Sequence, residues 1–565
     1  MKKDVSRLLM AICIAIGMAL PAKAQPTRDS IYYYSDMASY MDYSYQYGVG
    51  TPDQGLLLAE TAINYNPGGL LYSKMQFRKL WGSSQSMFYF SNPSPLPYPD
   101  YTQKDYTTCL EKDGSGNYYT GGKYYYDEAY GHDAILIKYN SALTEVWRRY
   151  LYSPSSTLGA TDYTIAAHVN GAKIYWLGYL ESTGYFLSCF SDIGNQLFFV
   201  NVSTFVPVIV RATAAGDVYL LGTSTSPTNG SQIILQKLNS SGVQVWKKTF
   251  NALAGVNADI PSKMEISPAG DIYFTCSSVR VAGAETDGMF VKYNSAGTRV
   301  WTKYMSGTAN LGDGAGSICF DNAGNITVAY DLLNTSMGVN NNDVCLRKYS
   351  AAGSTLATRY YRGSSNQNDH PMNIFYAPNN RYYLTAYTEV NSTKVKSVLA
   401  QYDDYLNLEY TDVALHSFSP SQFPVPDYTG ITGTTSVLDG DGLHIYWIGT
   451  KVKIIYSNGL DNIEAPFIVK YSIPAVPRIA GETNEKDGVA IQMAPNPGTS
   501  VVTIGISSGI QTVSVFDLSG KLVYEMNEQH QPEVKLNVES WNTGVYLIRV
   551  LDENGSQHAA KFIKN

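Results

Sequence analysis

The fold is decided by Ile272-Tyr273-Phe274-Thr275-Cys276 and, after a short gap, Val291-Lys292-Tyr293-Asn294-Ser295-Ala296-Gly297-Thr298-Arg299-Val300-Trp301-Thr302-Lys303-Tyr304. The first run opens after the turn Pro268-Ala269-Gly270-Asp271. Each run is short and rich in β-branched and aromatic residues, and Gly and Asn supply the positive φ of tight hairpins. The stretch therefore predicts antiparallel strands joined by turns.

The same unit recurs on both sides. Ile137-Lys138-Tyr139-Asn140 leads to Trp147-Arg148-Arg149-Tyr150. Gln236-Lys237-Leu238-Asn239 leads through Gly242 to Trp246-Lys247-Lys248, and Arg347-Lys348-Tyr349-Ser350 leads through Gly353 to Arg359 and Tyr360. Weaker copies centre on Phe190 with Gly194, on Tyr402 and on Tyr471. A second turn precedes most copies: Asp113 to Asn117, Ala214 to Asp217, Asp321 to Asn325 and Asp439 to Gly442. Four strands in about 50 residues make one propeller blade. The expectation is an all-β chain: a seven-bladed β-propeller, with six or eight blades as alternatives, followed by a small C-terminal β-sandwich. The repeated Trp is expected to pack between blades, and the basic residue two positions on to stay near solvent.

The last repeat stops at Phe467-Ile468-Val469-Lys470-Tyr471, before Pro474 and Pro477. Ile63 to Tyr72 resembles the second half of a repeat, so it is expected to pair with the last repeat and close the ring. Residues 25–107 thus read as an N-terminal Tyr/Pro-rich segment with a ring-closing strand near 62–81, holding Tyr32, Tyr33, Tyr34, Tyr40, Tyr43, Tyr45 and Tyr47. Residues 108–477 read as the propeller and 478–490 as a polar linker.

Composition narrows the function. Of 565 residues, only 16% are charged, while Tyr numbers 47 against 18 Phe. That excludes a disordered chain and a coiled coil. The net charge is −7 with no Lys/Arg cluster, which argues against a nucleic-acid partner. Residues 1–24 read as a signal peptide: Lys2, Lys3 and Arg7, then apolar Leu8 to Leu20, then the small residues Ala22 and Ala24, with cleavage before Gln25. No other run is long and apolar enough to span a membrane. Past the leader, Cys109, Cys189, Cys276, Cys319 and Cys345 are odd in number and lie in apolar runs, so buried free thiols are expected, with a single bridge as the alternative.

From residue 491 the character changes. Pro495-Asn496-Pro497 is followed by Val513-Ser514-Val515-Phe516-Asp517, then Gly520-Lys521, then Gly544-Val545-Tyr546-Leu547-Ile548-Arg549-Val550, then Lys561-Phe562-Ile563-Lys564. Residues 491–565 closely resemble the C-terminal sorting domain, type A, of the type IX secretion system. Pro495, Asn496, Pro497, Asp517, Gly520, Lys521, Gly544 and Tyr546 carry the likeness. It implies export to the medium or outer surface of a Gram-negative bacterium, with the secretion machinery as a partner and surface polysaccharide as a possible attachment. The central repeats resemble, more loosely, bacterial seven-bladed propeller repeats and quinoprotein-type repeats; that likeness brings no cofactor.

No catalytic, cofactor or metal motif stands out. His132, His168, His370, His416 and His444 fall in different repeats, and acidic turns such as Asp113 to Asn117 lack the bidentate Glu of a calcium loop. The chain reads as a secreted, non-catalytic protein- or glycan-binding propeller. The alternative is a secreted polysaccharide-acting hydrolase or lyase with its site at the channel mouth.

Overall fold

The computed structural model describes residues 25–33, 41–51, 55–65, 71–81, 84–89, 105–127, 131–154, 160–227, 230–251, 259–279, 286–305, 316–334, 341–363, 367–391, 394–417, 428–439, 442–454, 462–474, 492–494, 498–517, 522–553 and 557–564. They form two units, divided between Pro474 and Ala475.

In the first unit the described residues form eight four-stranded antiparallel sheets. After β1 (Thr27–Tyr33), sheet one is β2 (Met41–Gly50), β3 (Leu56–Tyr65), β4 (Leu71–Trp81) and β5 (Ser84–Tyr89). Sheet two is β6 (Tyr106–Lys112), β7 (Tyr118–Asp127), β8 (Gly131–Tyr139) and β9 (Glu145–Leu151). Sheet three is β10 (Tyr163–Asn170), β11 (Lys173–Leu180), β12 (Gly184–Ser191) and β13 (Gln196–Asn201). Sheet four is β14 (Val206–Ala212), β15 (Val218–Ser226), β16 (Gly230–Leu238) and β17 (Gln244–Phe250). Sheet five is β18 (Ile260–Ile266), β19 (Ile272–Val279), β20 (Thr286–Tyr293) and β21 (Arg299–Met305). Sheet six is β22 (Ser317–Phe320), β23 (Ile326–Asn334), β24 (Asn341–Tyr349) and β25 (Thr355–Tyr361). Sheet seven is β26 (Asp369–Ala377), β27 (Arg381–Asn391), β28 (Lys394–Tyr402) and β29 (Leu408–Ser417). Sheet eight joins β30 (Tyr428–Leu438), β31 (His444–Ile454) and β32 (Asn462–Ser472) to β1.

The first strands contact one another in a closed circuit: β2, β6, β10, β14, β18, β22, β26, β30 and back to β2. They therefore line a common axis, with the later strands further out. Between successive sheets lie separate apolar cores. One joins Leu220 and Val218 to Tyr175 and Leu187, and the next joins Leu221 and Leu235 to Phe274 and Met289.

Two sequence expectations change here. The ring closes through β1, whose Ile31 faces Val469 and whose Tyr33 faces Phe467, and not through Ile63 to Tyr72. That segment instead supplies the ends of β3 and β4, where Tyr65 pairs with Leu71 inside sheet one. The seven repeat copies, anchored at Tyr139, Phe190, Leu238, Tyr293, Tyr349, Tyr402 and Tyr471, correspond to seven sheets; sheet one is an additional, complete set. Its anchor is Leu80, which pairs with Leu56 as Leu238 pairs with Val218. After Leu80 the sequence runs Trp81-Gly82-Ser83-Ser84, without the Asn-x-x-Gly turn that follows Leu238 and Tyr293 and without the Trp found eight positions after Tyr139, Leu238 and Tyr293.

The turn glycines explain the repeated Trp. Gly194, Gly297 and Gly353 have φ of 83°, 80° and 87°. A Cβ on Gly297 would lie 2.9 Å from the Trp246 ring, and one on Gly353 would lie 2.8 Å from Trp301. Each Trp thus packs under the turn of the next sheet, as expected between neighbouring sheets. The Trp147 indole N–H also donates to Asp192 O at 2.9 Å. Corrected is the basic residue two positions on: Arg149 donates to Gly194 O at 2.9 Å and Arg359 to Asn407 Oδ1 at 2.9 Å, so these residues tie sheets together. The anchor Lys does likewise. Lys348 pairs with buried Asp321 at 2.8 Å and donates to Asp404 O of the next sheet at 2.7 Å. Cys109, Cys189, Cys276, Cys319 and Cys345 are all free thiols, and every one except half-buried Cys319 is buried.

In the second unit, β33 (Gln492–Ala494), β34 (Val501–Asp517), β36 (Gly544–Asp552) and β37 (Gln557–Lys564) lie side by side, and β35 (Leu522–Asn537) pairs with β34. Its core holds Val502, Ile504, Val513, Val515, Leu536, Ile548, Val550 and Phe562. The unit thus buries its own apolar face.

Candidate functional site

The first strands carry a repeated irregularity. Register shifts by one residue in β2, β6, β10, β14, β18, β26 and β30, for instance between Thr164 and Ala166 and between Pro261 and Lys263. A bulge re-aims the side chains that follow it. Pro207, Pro261 and Pro371 sit just before it, which an inner edge strand tolerates because no neighbour needs their N–H.

One register position, beyond the bulge in the seven strands that carry one, is equivalent in all eight sheets. It holds Val49, Glu111, His168, Arg211, Glu265, Cys319, Phe375 and Val437, facing Leu57, Tyr119, Tyr175, Tyr219, Tyr273, Thr327, Tyr383 and Tyr446. Four successive strands therefore present polar or charged groups, and the other four present apolar ones. The apolar half packs on neighbouring cores.

The polar arc is electrostatically connected. Arg211 Nη2 lies 3.5 Å from Glu265 Oε1. Burial pushes the Glu111 carboxyl up to about 7; the Arg211 guanidinium opposes this and the Glu265 carboxylate adds to it. Burial pushes the His168 imidazole down to about 4, and Arg211 lowers it further. Near neutrality the arc thus offers a carboxyl poised between its two protonation states, a neutral imidazole and a guanidinium. Such a set can hold an anionic or hydroxyl-rich ligand, and Glu111 can give or take a proton.

The other histidines do not join it. His416 is buried, 2.7 Å from Ser397 Oγ, and stacks on Trp447. His444 lies 2.7 Å from Asp439, and His370 lies 3.1 Å from Asp331 and 3.4 Å from Glu389. The acidic turns are held internally: Asp113 Oδ1 accepts the Ser115 and Asn117 N–H groups at 2.9 and 2.8 Å. Among the described residues, no group of three or more His, Cys, Asp and Glu is placed to hold a metal. Nor, among them, is any helix long and apolar enough to cross a membrane.

In the second unit, Asp517 ends β34 opposite Tyr546, and Gly544 opens β36 opposite Lys564. The Tyr546 hydroxyl donates to Asn542 O at 2.8 Å, and its ring lies 5.0 Å from that of Trp541. Sequence reasoning missed Trp541, although it sits between two signature strands. Ala24, Pro495, Asn496, Pro497, Gly520 and Lys521 lie outside the described residues, and Gln25 is the first of them.

Residues 492–565 match the family described as Secretion system C-terminal sorting domain. The chain therefore carries the type IX tail, a domain that marks proteins secreted or attached to the outer surface of Bacteroidetes-type Gram-negative bacteria. No curated protein matches the chain. Among solved structures, it is similar to PorZ, a surface component of the type IX secretion system of Porphyromonas gingivalis, at 13% identity over 91% of this chain and 69% of that one, with a TM-score of 0.34. It is similar to the Dos1 propeller at 10% identity over 80% and 96% of the two chains, with a TM-score of 0.47. The polysaccharide lyase Uly1 is similar at 11% identity over 70% and 94%, with a TM-score of 0.37.

Proposed function

We propose that the chain is an eight-bladed β-propeller, made with a cleavable leader ending at Ala24, that works outside the cell as a non-catalytic protein- or glycan-binding module. Residues 478–490 link it to a sorting domain folded as a small β-sandwich. The observation that carries the binding site is the break in the ring: at one equivalent position, Glu111, His168, Arg211 and Glu265 replace the apolar residues of the other four sheets. Regular packing does not require that change, because Val49, Cys319, Phe375 and Val437 fill the same position elsewhere. A grouped set of polar residues on an otherwise apolar wall is the usual composition of a ligand site.

The test is a survey of the mature protein against arrayed glycans and surface proteins, repeated with Arg211→Ala. A ligand retained by the native protein and lost by the variant supports the reading. A ligand held equally by both places the site elsewhere.

A second reading is favoured by Glu111, whose carboxyl is pushed up to about 7 by burial, with Arg211 opposing and Glu265 adding to the shift. That is a fitting state for general acid–base work on a polysaccharide by a hydrolase or lyase. Turnover abolished by Glu111→Gln would establish it.

A further inference from the structure

His370 is the second residue of β26, and its imidazole lies between two carboxyl groups. Nδ1 is 3.1 Å from Asp331 Oδ1 of sheet six, and Nε2 is 3.4 Å from Glu389 Oε1 of its own sheet. The ring also packs on Tyr387, with centroids 4.9 Å apart, and the side chain is only 19% exposed.

The pair is not part of the repeat. Asp331 lies four positions after Thr327, and Tyr387, which faces His370, lies four positions after Tyr383. The same two rows supply Lys123 and Tyr163 between sheets two and three, Tyr179 and Val206 between sheets three and four, and Thr223 and Ile260 between sheets four and five. None of these combinations sets an acid against a base, so stacking one sheet on the next does not require it.

The geometry fixes the proton count. A neutral imidazole has one N–H and one lone pair, whereas an ionised carboxyl group only accepts. Whichever nitrogen is bare would turn its lone pair on a carboxylate. Only the imidazolium, with two N–H groups, suits both neighbours. The elements packed against β26 are β22, β23, β24, β27 and β30. At this end they present Asp331, Asp343, Tyr387 and Glu389, and β26 itself adds Asp369; β22 and β30 carry no carboxylate or basic residue. Arg347, Lys348 and Arg381 lie toward the opposite end. Asp343 is taken by Arg362 at 2.7 Å, and Asp369 by the Gly363 N–H at 2.6 Å and the Thr388 hydroxyl. The other Glu389 oxygen accepts the Asn368 amide at 3.0 Å. Burial opposes a charge on His370, but Asp331, Glu389 and Asp369 outweigh it and hold the imidazole above its ordinary value.

We infer that His370 is a pH-sensitive latch between sheets six and seven: protonated, it holds Asp331 across the gap, and on losing its proton it lets that end of the gap loosen. The contribution is full below the unfolded value of about 6.5 and is lost as pH rises through the higher folded one. Two neutral bonds cross the same gap, from Asn341 Nδ2 to Gln367 O and from the Asn342 N–H to Asn368 Oδ1, each at 3.1 Å. The sheets therefore stay joined when the latch opens.

Imidazole C–H NMR of the mature full chain reads the proton directly, with the His370 signal assigned by its loss in His370→Gln. His370 should titrate above about 6.5, and at a lower pH in Asp331→Asn. Hydrogen exchange at the facing ends of β23 and β26, corrected for the intrinsic effect of pH, reads the gap. It should quicken several-fold in the native protein as the imidazole loses its proton. In His370→Gln and Asp331→Asn it should be fast throughout and show no such step. Three results would overturn the latch: titration of His370 at or below the ordinary value, a titration unmoved by Asp331→Asn, or native exchange that shows no step.

Discussion

Gly353 offers a test of how neighbouring sheets are joined, because sheet six contains its own control. Gly353 and Gly324 both occupy hairpin turns of that sheet, with φ of 87° and 77°. A Cβ at Gly324 meets nothing within 4 Å, whereas one at Gly353 would lie 2.8 Å from Trp301 Cδ1 and Nε1. Alanine at either site bears the left-handed backbone cost of about 1–2 kcal/mol. Both also reduce unfolded-chain freedom alike, so that contribution cancels in the comparison. Only Gly353→Ala forces an indole ring out of its seat, an overpacking cost of about 1–3 kcal/mol. Gly353→Ala should therefore destabilise the protein by about 2 kcal/mol more than Gly324→Ala. That is a sizeable share of a typical stability of about 5–15 kcal/mol. Urea unfolding followed by tryptophan fluorescence measures it. Equal losses in the two variants would refute the claim that the Trp301 seat under the next sheet's turn is a rigid packing contact.

Deleting residues 25–33 removes β1, its pairing with β32, and the 3.5 Å contact of Arg28 with Asp412 of sheet seven. The melting temperature should drop and self-association should rise through the uncovered β32 edge; an unchanged melt would contradict closure by β1. Glu111 should make stability fall with pH. Its folded pKa, about 7, lies above the ordinary carboxyl value, so the folded state holds the extra proton between about 4.5 and 7. The contribution is full below that window and lost across it, and Glu111→Gln should flatten this part of a stability–pH curve. The five thiols should react with a thiol reagent only after unfolding, since burial raises Cys109 to about 12 and Cys189 to about 11; fast labelling of either in the native protein would contradict the packing. Removal of residues 492–565 should leave the rest of the chain inside the cell, as shown by fractionation, and continued export would separate the tail from secretion.

The sheets were legible where a turn signature accompanied the strand alternation. Asn239 and Asn294 each accept two N–H bonds inside their turns, which is why Asn followed three residues later by Gly recurs. Sheet one carries a weaker signature: Leu80 is followed by Trp81-Gly82 and not by Asn-x-x-Gly with a Trp eight positions on, so Ile63 to Tyr72 is the nearer match to the repeat. Closure by β1 was hidden for another reason. Thr27 to Tyr33 is a single strand without a repeat signature, and its partner lies more than 400 residues away. The polar arc could not be read at all. Glu111, His168, Arg211 and Glu265 become equivalent only once each bulge is counted, and bulges leave little mark beyond the prolines at 207, 261 and 371. The tail was the reverse case, since its motifs come in fixed order and match over residues 492–565.

The most direct test of the central reading, a ligand held by the axial arc without being changed, is mass spectrometry of a bound polysaccharide recovered after prolonged incubation with the mature protein. The expected result is an intact ligand, retained by the native chain and released by Arg211→Ala. Shortened or unsaturated fragments that disappear with Glu111→Gln would contradict it and establish an enzyme.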